Sequence, residues 1–466
     1  MKTIIPQPKV RQLVNRASFG SCLNEAPPEV STLFADSEKI MPLQLIERPR
    51  IDEVDMAALK NPGTRKDKAK EVFMKSRAEL MKLNAEWVRK MVAEHSLRER
   101  MTYFWHGHFA CRTLVPYFAQ QQNNVIRTFA LASFTELLMA VSKDPAMLQF
   151  LNNQQNRKDH PNENFAREVM ELFTMGRGNY SEQDVQAAAR AFTGWGFNAS
   201  GEYQFRPRQH DFGTKTFRGK SKDFSGEQIL NAILEDKKTS SFIAAKLYRH
   251  FVSDKTPPQD TITDLADSFY RSGYNISKLM TEIFESANFN DVANLGTRIK
   301  SPIELLIGLQ LHTGGTFESE QHLIFLQRAM GQILFYPPNV SGWPSGKGWI
   351  DSSSLTFRTM LPDLLFNDAE TSFQASDDGD ANGLGRPDER KRKLRLNVDW
   401  HRVTSSLTQS SSNTTVEAVE SFLLSRPVQS ETRRHIASFA GRASNDEGFM
   451  KKLFQEFMSL PEYQMC

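Results

Sequence analysis

The sequence predicts a mainly α fold, one large multi-helix domain with a small β-hairpin insertion near residues 197–217. Three observations carry this. Apolar residues recur at helical spacing through most of the first 366 residues. Helix-start signals recur with them. The best formed is Ser301-Pro302-Ile303-Glu304, with a capping hydroxyl, a proline at the first helical position and a carboxylate three residues after the cap. Clusters of Gly and Pro mark the breaks, above all in a long stretch near 336–350.

In chain order, residues 8–17 predict a short basic helix, closed by a turn at Ser18-Phe19-Gly20. Lys66 to His95 predicts a long charged helix with an apolar stripe of Val72, Leu80, Leu83, Trp87 and Met91. Met101 to Ala110, MTYFWHGHFA, is almost wholly apolar around two histidines. Asn123 to Val141 reads as one helix, and Asp144-Pro145 opens the next, with Asp as cap and Pro in the first turn. His160 to Gly176 follows, with Pro161 at its start and Gly176 as its stop. Phe165, Val169, Leu172 and Phe173 give it an apolar stripe. Asn164, Arg167, Glu168 and Glu171 fall on the other side. That polar face is either solvated or a buried cluster. The apolar segments that follow favour a central position for the helix.

Ser181 to Trp195 predicts a helix with a capping box at Ser181 and Asp184. Residues 197–205 read as a hairpin with a Ser-Gly turn, then a loop, HDFGTKTFRG. Helical patterns resume at 225–235, 239–252, 259–272, 275–288, 302–312 and 320–333. YPPNVSGWPSGKGWI is a folded loop carrying Trp343 and Trp349. The organisation expected is a main helical domain over 1–366, a flexible linker over 367–415 that includes a Ser/Thr tract, and a small helical segment over 416–466.

The totals exclude several classes. Fifty-eight Lys and Arg against 55 Asp and Glu leave a net +3, no electrostatic footprint for nucleic acid. Cys22, Cys111 and Cys466 are too few and too widely spaced for a disulfide framework or a zinc knuckle. No stretch has the length of a transmembrane helix. The first residues lack the apolar run of a secretory signal, so the expected location is cytoplasmic, with export alongside a partner left open. There is no HExxH, nucleophile elbow, P-loop or dinucleotide glycine signature.

Four features hold most of the reactive side chains. His106 and His108 lie two apart. On a helix they face opposite sides and cannot share one metal ion; on extended backbone they can. Glu168 and Glu171, flanked by Arg167 and Asn164, can clamp a cation or share a proton. His210-Asp211 follows the hairpin on a loop, a usual place for a ligand or base. His106 or His108 with Glu168, Glu171 and His210 offers the ligand types of a divalent transition-metal site. The fourth feature, the Trp343/Trp349 loop, has indoles that could stack on a sugar, or that simply pin the loop to the core. Asp378 to Glu389 also fits a calcium-loop pattern, but Gly385, Pro387 and the acidic surroundings favour a linker.

RASFG, FWHGHF, KDPAMLQFLNNQQN, PNENFAREVMELFTMGRGNYSEQDVQAAARAFTGW, HDFGTKTF and PPNVSGWPSGKGWI occur in this order. Together, over about residues 9–360, they resemble a bacterial family, domain-of-unknown-function family 1800. The resemblance implies a predominantly helical domain without an assigned activity. It also implies a shared site at His106, His108, Asn164, Arg167, Glu168, Glu171, His210 and Asp211, and a sulfatase-like neighbour of domain-of-unknown-function family 1501 as candidate partner.

The functional expectation is a hydrolase-like enzyme, metal-dependent or not. Glu168, Glu171, His210, Asp211, Arg167 and Asn164 would be its catalytic residues, and His106, His108, Glu168 and Glu171 its metal ligands. The competing expectations are a non-catalytic helical scaffold or escort of the sulfatase-like protein, and a carbohydrate-binding module.

Overall fold

The computed structural model describes residues 7–48 except 27 and 36, 62–371 except 199 and 368, and 392–466 except 410 and 444. The calcium-loop pattern at Asp378–Glu389 lies outside these residues. Helices dominate, and among the described residues the strands form only two-stranded antiparallel pairs. The fold is mainly α.

The helices enclose two apolar cores. The first gathers Trp105, Phe134, Phe165, Phe173, Phe251 and Ile283, from elements between about residues 97 and 289. The second gathers Leu83, Trp87 and Leu306 with Leu361, Leu407 and Phe457. The helix Leu97–His108 serves both: Met101 and Trp105 pack in the first core, Tyr103 in the second.

Among the described residues, the wholly interior helix is Pro302–Thr313, all twelve positions of which are buried, rather than the 160–176 segment. Its capping box forms as its sequence predicts. The Glu304 carboxylate of that box does more: it also accepts from Arg298 (2.5 and 3.0 Å) and from Arg100, on the helix Leu97–His108. A second interior ion pair joins Arg127 to Glu99 (2.5 Å), which also accepts from the Trp87 indole (2.9 Å).

Several elements depart from expectation for local reasons. The 123–141 pattern is two helices, Pro116–Phe129 and Phe134–Ser142. The chain breaks so that residues 132–134 can pair with 274–276, Phe134 N–H donating to Tyr274 and Ile276 N–H to Ala132. Ser133 then caps the second helix. Val72, placed on the apolar stripe of the long helix Pro62–Glu94, is 63% exposed. The hairpin Trp195–Phe197 with Tyr203–Phe205 forms, and a second follows, Lys215–Phe217 with Lys220–Lys222. Its turn is Arg218-Gly219, both at positive φ, the conformation a tight hairpin needs.

Much of the Ser/Thr tract lies in two helices. Asp399 caps the helix Trp400–Leu407, and a Ser411/Thr414 capping box opens Ser412–Leu423. Thr404, Ser405, Ser406 and Thr408 each donate a hydroxyl to the carbonyl four residues back, which satisfies them within the helix. Val403 and Leu407 point into the second core, so the last helices share an interior with residues 303–366.

Candidate functional site

The segment His160–Gly176 begins as helix at Asn164, not at Pro161. Asparagine side chains hold the preceding loop: Asn156 accepts from Asn162 N–H (2.9 Å) and Asn162 from Asn164 N–H (3.0 Å). After Asn164–Glu168 the backbone widens into a π-helical stretch, Val169–Thr174. Such turns are rare and frequent at functional sites. Gly176, at φ +81°, ends it.

The carbonyls of Leu172 and Phe173, in that stretch, take side-chain donors. Lys246, from the helix Lys237–Phe251, donates to Leu172 O (3.1 Å) and to His108 Nδ1 (3.1 Å). His108 Nε2–H donates to Phe173 O (3.0 Å), the tautomer this network assigns. Burial, then the Lys246 charge, holds His108 well below the usual imidazole range. Burial lowers the Lys246 ammonium to about 8, with Arg249 acting in the same direction.

His106 faces the other way, as two positions on one helix require. Its Nε2 accepts from Phe335 N–H (3.2 Å), and its ring lies among Trp87, Phe335 and Trp343. Burial lowers it to about 3. Trp349 is buried and half-buried Trp343 rests against His106, so these indoles pin the Pro-rich loop.

The polar face of the 164–171 segment is partly solvated. Arg167 grips Glu182 through two nitrogens (2.7 Å each) and Glu163 (3.1 Å). Glu171 accepts from the Tyr180 hydroxyl and from Arg177 (3.0 Å), contacts that hold its carboxyl below the usual range. His210 is buried, with Nδ1–H donating to Thr193 O (2.8 Å). Asp211 pairs with Arg190 (2.6 and 3.3 Å), which lowers its pKa and ties the hairpin loop to the helix Glu182–Ala191.

The expected metal set does not assemble. Among the described residues, His106, His108, Glu168 and Glu171 form no group with converging donor atoms. The imidazoles point into different cores with their acceptor nitrogens occupied, and Glu171 is held by Tyr180 and Arg177. The group of three that does converge is elsewhere, at Cys22, Glu25 and His95.

Glu168 differs from its neighbours. It is half-buried, and burial first, then Glu171, raises its pKa against the pull of Arg167; no hydrogen bond holds its carboxylate among the described residues. One turn before it, Asn164 lines a cleft of about 280 Å³ with Arg112, Leu151 and the Pro337–Val340 run. Gly342 makes this arrangement possible, since a Cβ there would meet the Gly107 carbonyl oxygen at 2.6 Å. Arg112 lies over the Tyr336 ring at 4.8 Å. Sequence reasoning missed Arg112 and Lys246. Lys246 had a signal, a single cation between Ala245 and Leu247; Arg112 had only its place after FWHGHFAC.

Four of the sequence motifs, or residues beside them, thus meet at one cleft. No helix among the described residues is long and apolar enough to cross a membrane. No curated protein and no solved structure matches the chain. A family model described as protein of unknown function (DUF1800) matches residues 11–465, and the chain therefore belongs to that family through its C-terminal helices as well as its motif-rich part.

Proposed function

We propose that the chain is a hydrolase-like enzyme whose ligand lies in the cleft of Arg112, Asn164 and Pro337–Val340, with Glu168 as proton donor. One observation carries the reading: segments far apart in sequence line a single cleft, beside a helix that holds a half-buried carboxyl of raised pKa with no hydrogen bond among the described residues. A carboxyl protonated closer to neutral pH than usual suits general acid catalysis. The Asn164 amide, one hydrogen of which goes to Leu151 O (3.3 Å), supplies a donor for a carbonyl-bearing conjugate, and Arg112 lines the cleft beside it. His108 and Lys246 brace the π-helical stretch from behind, as positioning residues.

The test is a panel of chromogenic ester, phosphate, sulfate and glycoside substrates. Glu168→Gln is expected to abolish the turnover found while the protein melts as before, and Arg112→Ala to raise KM. Turnover that survives Glu168→Gln would sink the assignment.

A second reading has an observation of its own. Arg167, Glu171, His210 and Asp211 are all engaged with other protein groups, as in a structural network. On that reading the protein is a helical scaffold or escort of a sulfatase-like protein, and no member of the panel is turned over.

A further inference from the structure

A cavity of about 310 Å³ lies well away in sequence from the cleft motifs, between the first helix Pro8–Ala17, the turn after it and the junction of Pro62–Glu94 with Leu97–His108. Cys22, Glu25 and His95 line it together. A thiol, a carboxylate oxygen and an imidazole nitrogen there all lie within 4.8 Å of one another. His95 sits at the junction with φ +29°, a left-handed backbone that few non-glycine residues adopt, and this turns its ring inward across 70 residues of sequence to Glu25.

The hydrogen bonds leave a gap in the chemistry. His95 Nδ1 lies 3.2 Å from Val92 O, an acceptor only, so the proton belongs on Nδ1. Nε2 then presents a lone pair to Glu25 Oε2 at 2.8 Å, two acceptors facing each other. Something positive must lie between them, either a second proton on the ring or a cation. The carbonyl behind Nδ1 is the arrangement that orients metal-binding histidines. The Cys22 sulfur lies within 4.8 Å of the same Glu25 carboxylate and of the His95 ring nitrogen. Ser21, beside it and 7% exposed, has a hydroxyl without a hydrogen-bond partner among the described residues and lines the same cavity.

We propose that Cys22, Glu25 and His95 bind one divalent transition-metal ion of the zinc class, with its remaining position open to the cavity and Ser21 beside it. One thiolate, one imidazole and one carboxylate with an open fourth position is the donor count of a reactive rather than a closed structural zinc site. Binding converts the Cys22 thiol to a metal-bound thiolate and releases its proton to solvent. The site is independent of the cleft and does not rest on Glu168.

The test is titration of the chelator-stripped full chain with Co²⁺, which reports thiolate ligation by a charge-transfer band. The expected result is one Co²⁺ per chain with that band, bleached by one equivalent of Zn²⁺. Cys22→Ser removes the band. His95→Gln keeps it but weakens binding by about tenfold or more, and Cys466→Ser changes neither. No band in the parent protein, a band that survives Cys22→Ser, or unchanged affinity in His95→Gln would overturn the proposal. If circular dichroism shows Cys22→Ser unfolded, Glu25→Gln joins His95→Gln as the deciding pair. Unaltered cobalt binding in both then means that His95 and Glu25 hold only a proton between them.

Discussion

Glu304→Gln is the substitution whose cost the structure fixes best. The change keeps the side chain's shape and removes its charge. Glu304 is 4% exposed at the side chain, Arg100 0% and Arg298 7%. Arg16, Lys300 and Arg358 are buried as well and feel the same carboxylate. Removing it leaves interior cations without a counter-charge, which costs roughly 3–5 kcal/mol for a broken buried pair. An unfolding entropy of roughly 2.1 cal/mol/K per residue, over 466 residues, makes ~1 kcal/mol worth ~1 °C. The expected fall in Tm at pH 7 is therefore about 3–5 °C.

The effect has a pH signature. The Glu304 carboxyl is held well below 4.5, because the charges of Arg100 and Arg298 outweigh the opposing effect of burial. A carboxyl depressed on folding stabilises above its unfolded pKa and loses that contribution as pH falls through its folded pKa. The Tm gap between parent and variant should be constant near neutrality and narrow below about pH 4.5. Scanning calorimetry at several pH values measures it. A variant that melts with the parent at pH 7 refutes the assignment of Glu304 as the counter-charge of this interior.

Other outcomes follow from the same structure. Glu168→Gln should leave Tm unchanged or slightly raised, since its folded pKa is raised and the ionised carboxylate is penalised at neutral pH. Glu171→Gln should lower stability by about 1 kcal/mol through weaker contacts to Tyr180 and Arg177; equal melting of the two variants would contradict the contrast. Lys246 should titrate near 8 by lysine ¹³C NMR, and an ordinary midpoint would show its ammonium to be better solvated than the structure has it. Because that pKa is lowered on folding, stability should gain from this group as pH rises from about 8 to 10.5. Leu407→Ala should cost roughly 2–5 kcal/mol and lower the same transition that reports the second core; a separate transition for the C-terminal helices would argue against their shared interior.

The sequence was legible where structure is decided locally. Ser301-Pro302-Glu304 and Asp144-Pro145 announce helices because the capping atoms lie within three residues of the groups they satisfy. The fold class followed from such signals and from apolar spacing. The break at 130–133 was hidden because its cause, pairing with 274–276, is 140 residues away. The helix at Trp400–Leu407 was hidden because the apolar residues of its inner face, Trp400, Val403 and Leu407, stand amid hydroxyls that suggest a linker. The candidate site was half visible. Its motifs did mark the chain that meets at the cleft, but chemical type alone could not separate Glu168 from Glu171, whose difference lies in Tyr180 and Arg177. Cys22 and Glu25 gave no signal, since their third member comes from the far end of another helix.

The π-helical stretch also makes the chain sensitive to its own length. Each i→i+5 ring at Val169–Thr174 encloses one residue more than an α-helical ring. Deleting a single residue here would let the backbone relax into regular α-helix, a change that most helices would resist and this one could accept. The cost would appear elsewhere. With the extra residue gone, the chain that follows would keep its place while positions inside the stretch shift, and the carbonyls of Leu172 and Phe173 would turn away from Lys246 and His108. A one-residue deletion and a one-residue substitution in this segment should therefore have opposite profiles. The shortened chain keeps its helix and loses its alignment with Lys237–Phe251, while a point change keeps the alignment and loses a single contact.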